Sequence, residues 1–160
     1  MAVDLCELLR NDHDDLDRAL AAMIDPLTSP RELSNLLEVV QLALAVHSAA
    51  EARVLELMLR QSPVPRSLGL VAQQVQTEHA AQRGAAAALT QIRPGSIGWY
   101  NHANGLRRLV VDHAERADWQ HIPSSLQRTL AAEYATERMR VLGTAAPLAI
   151  ADCRGRLQLN

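Results

Sequence analysis

His47 and Glu51 are the residues whose types and spacing most clearly could do chemistry. They are four positions apart, which on an α-helix means about 40° of rotation and about 6 Å of rise, so both side chains point the same way. The residues spaced by threes and fours around them form an apolar seam: Leu33, Leu37, Val40, Leu44, Val54 and Met58. A buried carboxylate and imidazole must be paired or hold a cation, because an unsatisfied buried ionic group costs several kcal/mol. We infer that they bind metal.

Three further histidines, His13, His79 and His113, lie on similar apolar lines of other predicted helices. One histidine on an apolar face is usually a core residue with a single hydrogen-bonding partner. With His47, however, there is one such histidine per helix, and at 1.5 Å per residue their four levels agree to within about 7 Å. The spacing predicts that the imidazoles converge on one layer and bind metal. A purely structural polar layer is the alternative.

The apolar periodicity and its interruptions predict an all-α chain of five helices in a single domain over residues 1–160. The predicted helices cover about 3–24, 30–60, 66–92, 97–121 and 125–142, with a tail over 143–160. Ser29 and Glu32 form a capping-box pattern that starts the second helix at Pro30. Because the connections are short, the first four helices should pack up-down-up-down as a four-helix bundle over about 3–122, with the fifth added to it.

Composition narrows the classes of function. Hydrophobic residues make up 48% of the chain, but Phe is absent and only two Trp and two Tyr occur, so the core must consist of Leu, Ala and Val. The net charge is -2, all sixteen basic residues are Arg, and no basic run occurs. Binding to a nucleic-acid backbone therefore has no electrostatic basis.

The location of the protein is also predicted from the sequence. The acidic start of the chain is unlike a secretory signal, and no apolar run approaches the roughly 18 residues needed to span a bilayer. Cys6 and Cys153 lack the spacing of a metal or redox motif and are interpreted as ordinary thiols. We therefore expect a cytoplasmic protein without a membrane partner.

The candidate ligands resemble those of a known family, the hemerythrin-like domains, also called HHE cation-binding domains. One motif per helix carries the resemblance, over roughly residues 5–123: Asp12-His13, His47-Ser48-Ala49-Ala50-Glu51, Glu78-His79, and His113 followed by Asp118. The resemblance implies a left-handed four-helix bundle around a non-haem di-iron centre with an oxo or hydroxo bridge. Glu51 and Asp118 would then bridge the metals, and the four histidines would be terminal ligands. Zinc or manganese are alternatives to iron.

One position departs from the oxygen carriers of that family, which have HxxxH on the third helix. Val75 stands four residues before His79 in this chain. The resemblance therefore implies an open metal position, and favours binding or reaction with oxygen species, or iron or redox sensing, over reversible oxygen carriage. A peroxide- or nitric-oxide-handling enzyme is one alternative, so enzymatic activity stays open. Another is a metal-free helical interaction module, with a homodimer through the fifth helix.

The second carboxylate is the open question at the site. Asp118 lies five residues after His113, about 140° around a regular helix, and reaches the site only if the helix widens locally. Asp17 is a rival because it lies four residues after His13 and shares its face; pairing with a surface Arg is its alternative role. Glu78 is expected to be solvated or to orient a ligand. His102 and His121 are expected at the bundle surface or at a helix end: neither is a predicted ligand.

Overall fold

The described part of the chain consists of helices and the turns that join them. The structure, a computed structural model, describes residues 4–60, 66–116, 122 and 124–157, and contains no strand in those ranges. Its helices are α1 (Leu5–Met23), α2 (Pro30–Leu59), α3 (Arg66–Leu89), α4 (Ile97–Arg116) and α5 (Ser124–Leu157). The predictions of an all-helical chain and of five helices are confirmed.

The starts of α1 and α2 are set by local hydrogen bonds that the sequence encodes. Asp4 caps α1 by accepting from the backbone N–H of Cys6 at 3.0 Å. Ser29 and Glu32 form a complete capping box, with the Glu32 carboxylate accepting from the Ser29 backbone N–H at 3.0 Å. These contacts satisfy N–H groups that the first turn of a helix leaves without partners. The predicted start of α2 at Pro30 is confirmed.

The helices form a bundle in which each contacts specific neighbours. α1 contacts α2, α2 contacts α3, α3 contacts α4, and α4 contacts α1, so the first four helices close a cycle. α5 packs against α2 and α1. One buried tie between α1 and α4 is the indole N–H of Trp99, which donates to the carbonyl of Met23 at 3.2 Å.

The core contains two apolar clusters, and the candidate ligands of α1, α2 and α3 lie where one cluster gives way to the other along the helix. One cluster is built from Leu16, Leu20, Met23, Leu33, Leu37, Val40, Leu44, Ala86, Leu89, Trp99, Ala103, Leu106 and Val110. The other is built from Leu5, Leu9, Ala50, Val54, Leu55, Ala72, Val75, Ile122, Leu130, Ala131 and Tyr134. Aliphatic side chains dominate both, as the composition predicted. A polar layer therefore interrupts an otherwise apolar interior.

Two predicted boundaries were wrong. α5 does not end at Leu142 with a tail beyond it: the helix continues through Gly143 to Leu157. A Cβ at Gly143 would meet nothing within 4 Å, so close packing does not require a glycine at this position. A glycine inside a helix costs about 1 kcal/mol of stability relative to Ala, and the helix tolerates that cost. α3 ends at Leu89 rather than at 92, because residues 90–92 form hydrogen-bonded turns. The predicted end of α4, at His121, falls outside the described residues.

Among the described residues, α2 is long and apolar enough to be compared with a membrane-spanning helix. By length and composition alone, Pro30–Leu59 could cross a membrane: it has a window of mean hydropathy 1.3, of which 44% is buried inside the protein. The core helix of a folded domain has the same composition. In this structure the buried face of α2 includes His47 and Glu51.

Candidate metal centre

Five polar side chains, four from histidines, meet in the layer between the two apolar clusters. Glu51 is fully buried, and its Oε2 lies 2.9 Å from Nε2 of His79, 3.1 Å from Nε2 of His113 and 3.3 Å from Nε2 of His47. The ring of His13 joins them, with its Nε2 3.2 Å from Nε2 of His47. The structure thus brings together the predicted residues of α1, α2, α3 and α4.

The side chains are close enough to share an ion. Ring centroids of neighbouring histidines are 4.7 to 5.7 Å apart. One ligand atom from each of His47, Glu51, His79 and His113 lies within 4.8 Å of all the others. All four residues are buried, so water cannot solvate their polar atoms freely.

Two polar atoms of the cluster lack a hydrogen-bond partner among the described residues. Glu51 Oε1 and His79 Nε2 are buried and have no hydrogen-bond partner. His79 Nε2 approaches Glu51 Oε2 to 2.9 Å but is not aligned for a hydrogen bond. Neighbouring ligands of an ion with bonds of 2.0 to 2.2 Å stand about 3 to 3.5 Å apart, and the distances from Glu51 Oε2 to the three imidazole nitrogens, 2.9 to 3.3 Å, are close to that range. The buried cluster could therefore bind a metal ion, which would satisfy these atoms.

His113 is oriented by an acid from α3. Its Nδ1 lies 2.7 Å from Glu78 Oε2, and Glu78 is itself held by Arg116 at 3.0 Å and by Gln74 at 3.0 Å. An ionised carboxylate only accepts, so Nδ1 of His113 carries a proton and Nε2 is the atom turned towards Glu51. Of the two roles expected for Glu78, orienting a ligand is the one that this contact supports.

His47 is oriented by residues from α1 and α5. The phenol of Tyr134 lies 3.0 Å from His47 Nδ1 and donates to Asp12 Oδ2 at 2.5 Å. Asp12 Oδ1 contacts Nη1 of Arg138 at 2.8 Å. Because the single phenolic proton goes to Asp12, the phenolic oxygen must accept from Nδ1 of His47. The Nε2 atom of His47 is left to face Glu51 and His13.

The cluster has an uneven charge distribution in the absence of metal. Burial raises the pKa of Glu51, but contacts with His113, His47 and His79 outweigh burial and bring that pKa well below its usual value. Burial lowers the pKa of His47, but Asp12 and Glu51 overcome it and raise that pKa to about 9. Burial and the neighbouring His47 lower the pKa of His13 to about 3. The charge of the ionised Glu51 carboxylate is therefore matched by that of a protonated His47. A metal ion that binds His47 would have to displace the proton from Nε2.

The rival carboxylates and the remaining histidines have different outcomes. Asp17 does not join the cluster: its two oxygens contact Arg107 at 2.6 and 3.0 Å, which matches its alternative role as an ion-pair partner. Asp118 and His121 lie outside the described residues. His102 is exposed, with Nδ1 2.8 Å from the carbonyl of Gly98, as expected for a surface histidine.

Sequence reasoning missed the roles of Asp12, Tyr134 and Arg138. A signal for Tyr134 was present, because Leu126, Leu130 and Tyr134 are spaced by fours on one stripe, and a buried phenol needs a hydrogen-bonding partner. Arg138 lies one turn further along the same face. The spacing could not predict that α5 packs against α1 and α2.

Compared with protein-family models, curated proteins and solved structures, the chain gives no match in any of the three searches. The likeness to hemerythrin-like domains therefore stays a resemblance of motifs.

Proposed function

We propose that this protein binds a transition metal through His47, Glu51, His79 and His113, with His13 beside them. The observation that carries the proposal is Glu51. This carboxylate is fully buried, three imidazole nitrogens lie within 3.3 Å of one of its oxygens, and its other oxygen has no hydrogen-bonding partner. A polar layer that served only to hold the helices in register would be expected to satisfy both oxygens.

The metal we propose is non-haem iron. Neutral imidazole and carboxylate ligands suit it, and helical-bundle cores are where carboxylate and histidine di-iron sites are built. A second iron would draw on His13 and on Asp118, as the resemblance to hemerythrin-like domains implies. Val75 lies in the second apolar cluster, and its side chain has no atom that could bind a metal. This favours binding or reaction with small oxygen species, peroxide or nitric oxide, or iron or redox sensing, over reversible oxygen carriage.

We infer an up-down-up-down arrangement for the four helices of the cycle. Contacts between α1 and α4 support it: Met23, at the end of α1, contacts Trp99 near the start of α4, and Asp17 contacts Arg107 further along α4. The residue numbers fall on one helix as they rise on the other, which is the relation expected of antiparallel neighbours. Short connections favour the same arrangement for consecutive helices.

An anaerobic titration with Fe²⁺ tests the proposal. The wild-type protein should bind at least one Fe²⁺ per chain, and Glu51→Gln should weaken binding strongly, because the amide keeps the size of the side chain but loses its charge. Glu56→Gln is the matched control, since Glu56 is on the same helix but exposed and paired with Arg53 and Arg60. This control should bind Fe²⁺ as the wild type does.

Two outcomes of the titration would contradict the proposal. One is a wild-type protein that binds no Fe²⁺ while fully helical by circular dichroism. The other is Glu51→Gln binding Fe²⁺ as tightly as Glu56→Gln. The first would favour the metal-free helical module, and the second would move the binding site away from the buried layer.

A further inference from the structure

α5 stands outside the cycle of four helices, yet it sends two side chains towards the histidine layer. Tyr134 is fully buried, and Arg138 lies one turn further along the helix. Both reach Asp12 of α1, Tyr134 through its hydroxyl at 2.5 Å and Arg138 through Nη1 at 2.8 Å. The guanidinium carbon of Arg138 also lies 6.0 Å from the centre of the Tyr134 ring, so the two side chains form one unit.

Tyr134 connects these side chains to His47 by a hydrogen bond. The hydrogen bonds run in one direction, from Nδ1–H of His47 to the oxygen of Tyr134, and from the Tyr134 hydroxyl to Asp12. Arg138 keeps Asp12 ionised and therefore unable to donate, because a carboxylate beside a cation favours its charged form. The direction of the chain leaves His47 no proton on Nε2 once a metal takes that position.

We propose that Tyr134 and Asp12, anchored by Arg138, are positioning residues that hold His47 with its Nε2 towards the metal, so that α5 completes the centre. This inference rests on the proposed metal binding. It deepens that proposal by assigning a second layer of residues to a ligand of α2. Glu78 serves His113 in the same way from α3, so the two histidines are held by independent partners from different helices.

Removing only the phenolic oxygen tests the inference. In Tyr134→Phe the ring still fills the core, but His47 Nδ1 loses its acceptor. The remaining acceptor is Asp12 Oδ2, 3.7 Å away, and the imidazole must turn to reach it. We expect affinity for Co²⁺ to fall about 10- to 100-fold, and the visible d–d bands of the bound Co²⁺ to shift because the geometry of the ligands changes.

Two variants separate positioning from a general effect on packing. Tyr100→Phe is the matched control, because Tyr100 packs against the other apolar cluster, and it should leave both affinity and spectrum unchanged. Leu130→Ala removes a buried apolar contact of α5 and leaves the hydrogen-bonding residues that lead to His47 in place. It should lower the melting temperature but leave the Co²⁺ spectrum as in the wild type.

Two substitutions of Asp12, compared by their Co²⁺ affinity, provide a further test. Asp12→Asn keeps an oxygen that can accept from Tyr134, whereas Asp12→Leu keeps none. Asp12→Asn should therefore retain more of the wild-type Co²⁺ affinity than Asp12→Leu.

The outcomes distinguish the inference from the function on which it rests. A wild-type protein that binds no Co²⁺ would overturn both. Wild-type binding with Tyr134→Phe unchanged in affinity and spectrum would overturn only the positioning role. Equal loss of the spectrum in Tyr134→Phe and Leu130→Ala would also overturn it, because docking of α5 in general would then be sufficient to explain the loss.

Discussion

Individual residues explain how a carboxylate can be stable in an aliphatic core. Glu51 stays ionised because three imidazoles face it, and the same arrangement keeps a proton on His47 when no metal is present. His13 is neutral beside that protonated ring, since burial and the charge of His47 oppose its protonation. The cluster is thus close to electrically balanced without metal, and binding a cation requires it to release a proton.

Stability of the metal-free protein should therefore fall on the alkaline side of neutrality. The pKa of His47 is about 9 in the folded protein against an ordinary value of 6.5, so the folded state binds more protons than the unfolded state between these values. The stabilisation from His47 is fully present below pH 6.5 and is lost as the pH rises through 9. Urea unfolding in the presence of a chelator, from pH 6 to 9.5, measures it.

His47→Gln serves as the control for this pH dependence, because it removes the titrating group and should flatten the decline. His13 acts on the acid side: its pKa is about 3 when folded, so the protein should also lose stability as the pH falls from 6.5 towards 3. A metal-free protein whose free energy of unfolding rises from pH 6.5 to 9 would contradict the assignment of the proton to His47.

The spacing of residues along each helix predicted that the four histidines and Glu51 face the interior, but it did not predict that Asp12 is buried. Asp12 is one position before His13 and so about 100° around α1, which is the direction of a side face. It is nevertheless buried, because α5 covers that face with Tyr134 and Arg138. Periodicity identifies the face of a helix towards its main core, but not a second face that another helix covers.

The start of a helix was predicted correctly where the sequence contains a capping or turn motif. α2 begins at the capping box that the sequence indicated, and α4 begins at 97 as expected. α5 was predicted too short because the residues from Gly143 onward were interpreted as a tail. A glycine ends a helix when the backbone must turn into the left-handed region. Gly95 enters that region, with φ of 78°, in the turn between α3 and α4.

Two glycine substitutions test this distinction. Gly84 is exposed in the interior of α3, and a Cβ there would meet nothing within 4 Å, so Gly84→Ala should stabilise the protein by about 0.5 to 1 kcal/mol. Gly95→Ala should destabilise it by about 1 to 2 kcal/mol, because a side chain opposes positive φ even though the nearest atom, Leu33 Cδ1, is at an ordinary 3.8 Å. Urea unfolding of both variants measures the two free energies.

The two substitutions are expected to change the free energy of unfolding in opposite directions. Stabilisation by Gly95→Ala would mean that the turn before α4 does not need a left-handed residue. Destabilisation by Gly84→Ala would mean that another chain segment packs against the exposed face of α3.

The molecule as a whole is an aliphatic helical bundle with one polar layer through it. The convergence of four histidines at one depth followed from helix lengths and from short connections, which the sequence contains. The packing of α5 against α1 and α2 did not follow, because its apolar stripe is thin and its contacts with α1 include the polar ones of Tyr134 and Arg138 with Asp12. Asp118 stays a predicted ligand, and its role in a second metal position is part of the proposal.

The metal content of the purified protein tests the central claim most directly. Protein produced in iron-supplemented medium would be analysed by inductively coupled plasma mass spectrometry, with its helix content checked by circular dichroism. We predict at least one transition-metal ion per folded chain, principally iron. A fully helical protein that carries less than one transition-metal ion per chain would contradict the claim that the buried layer is a metal centre.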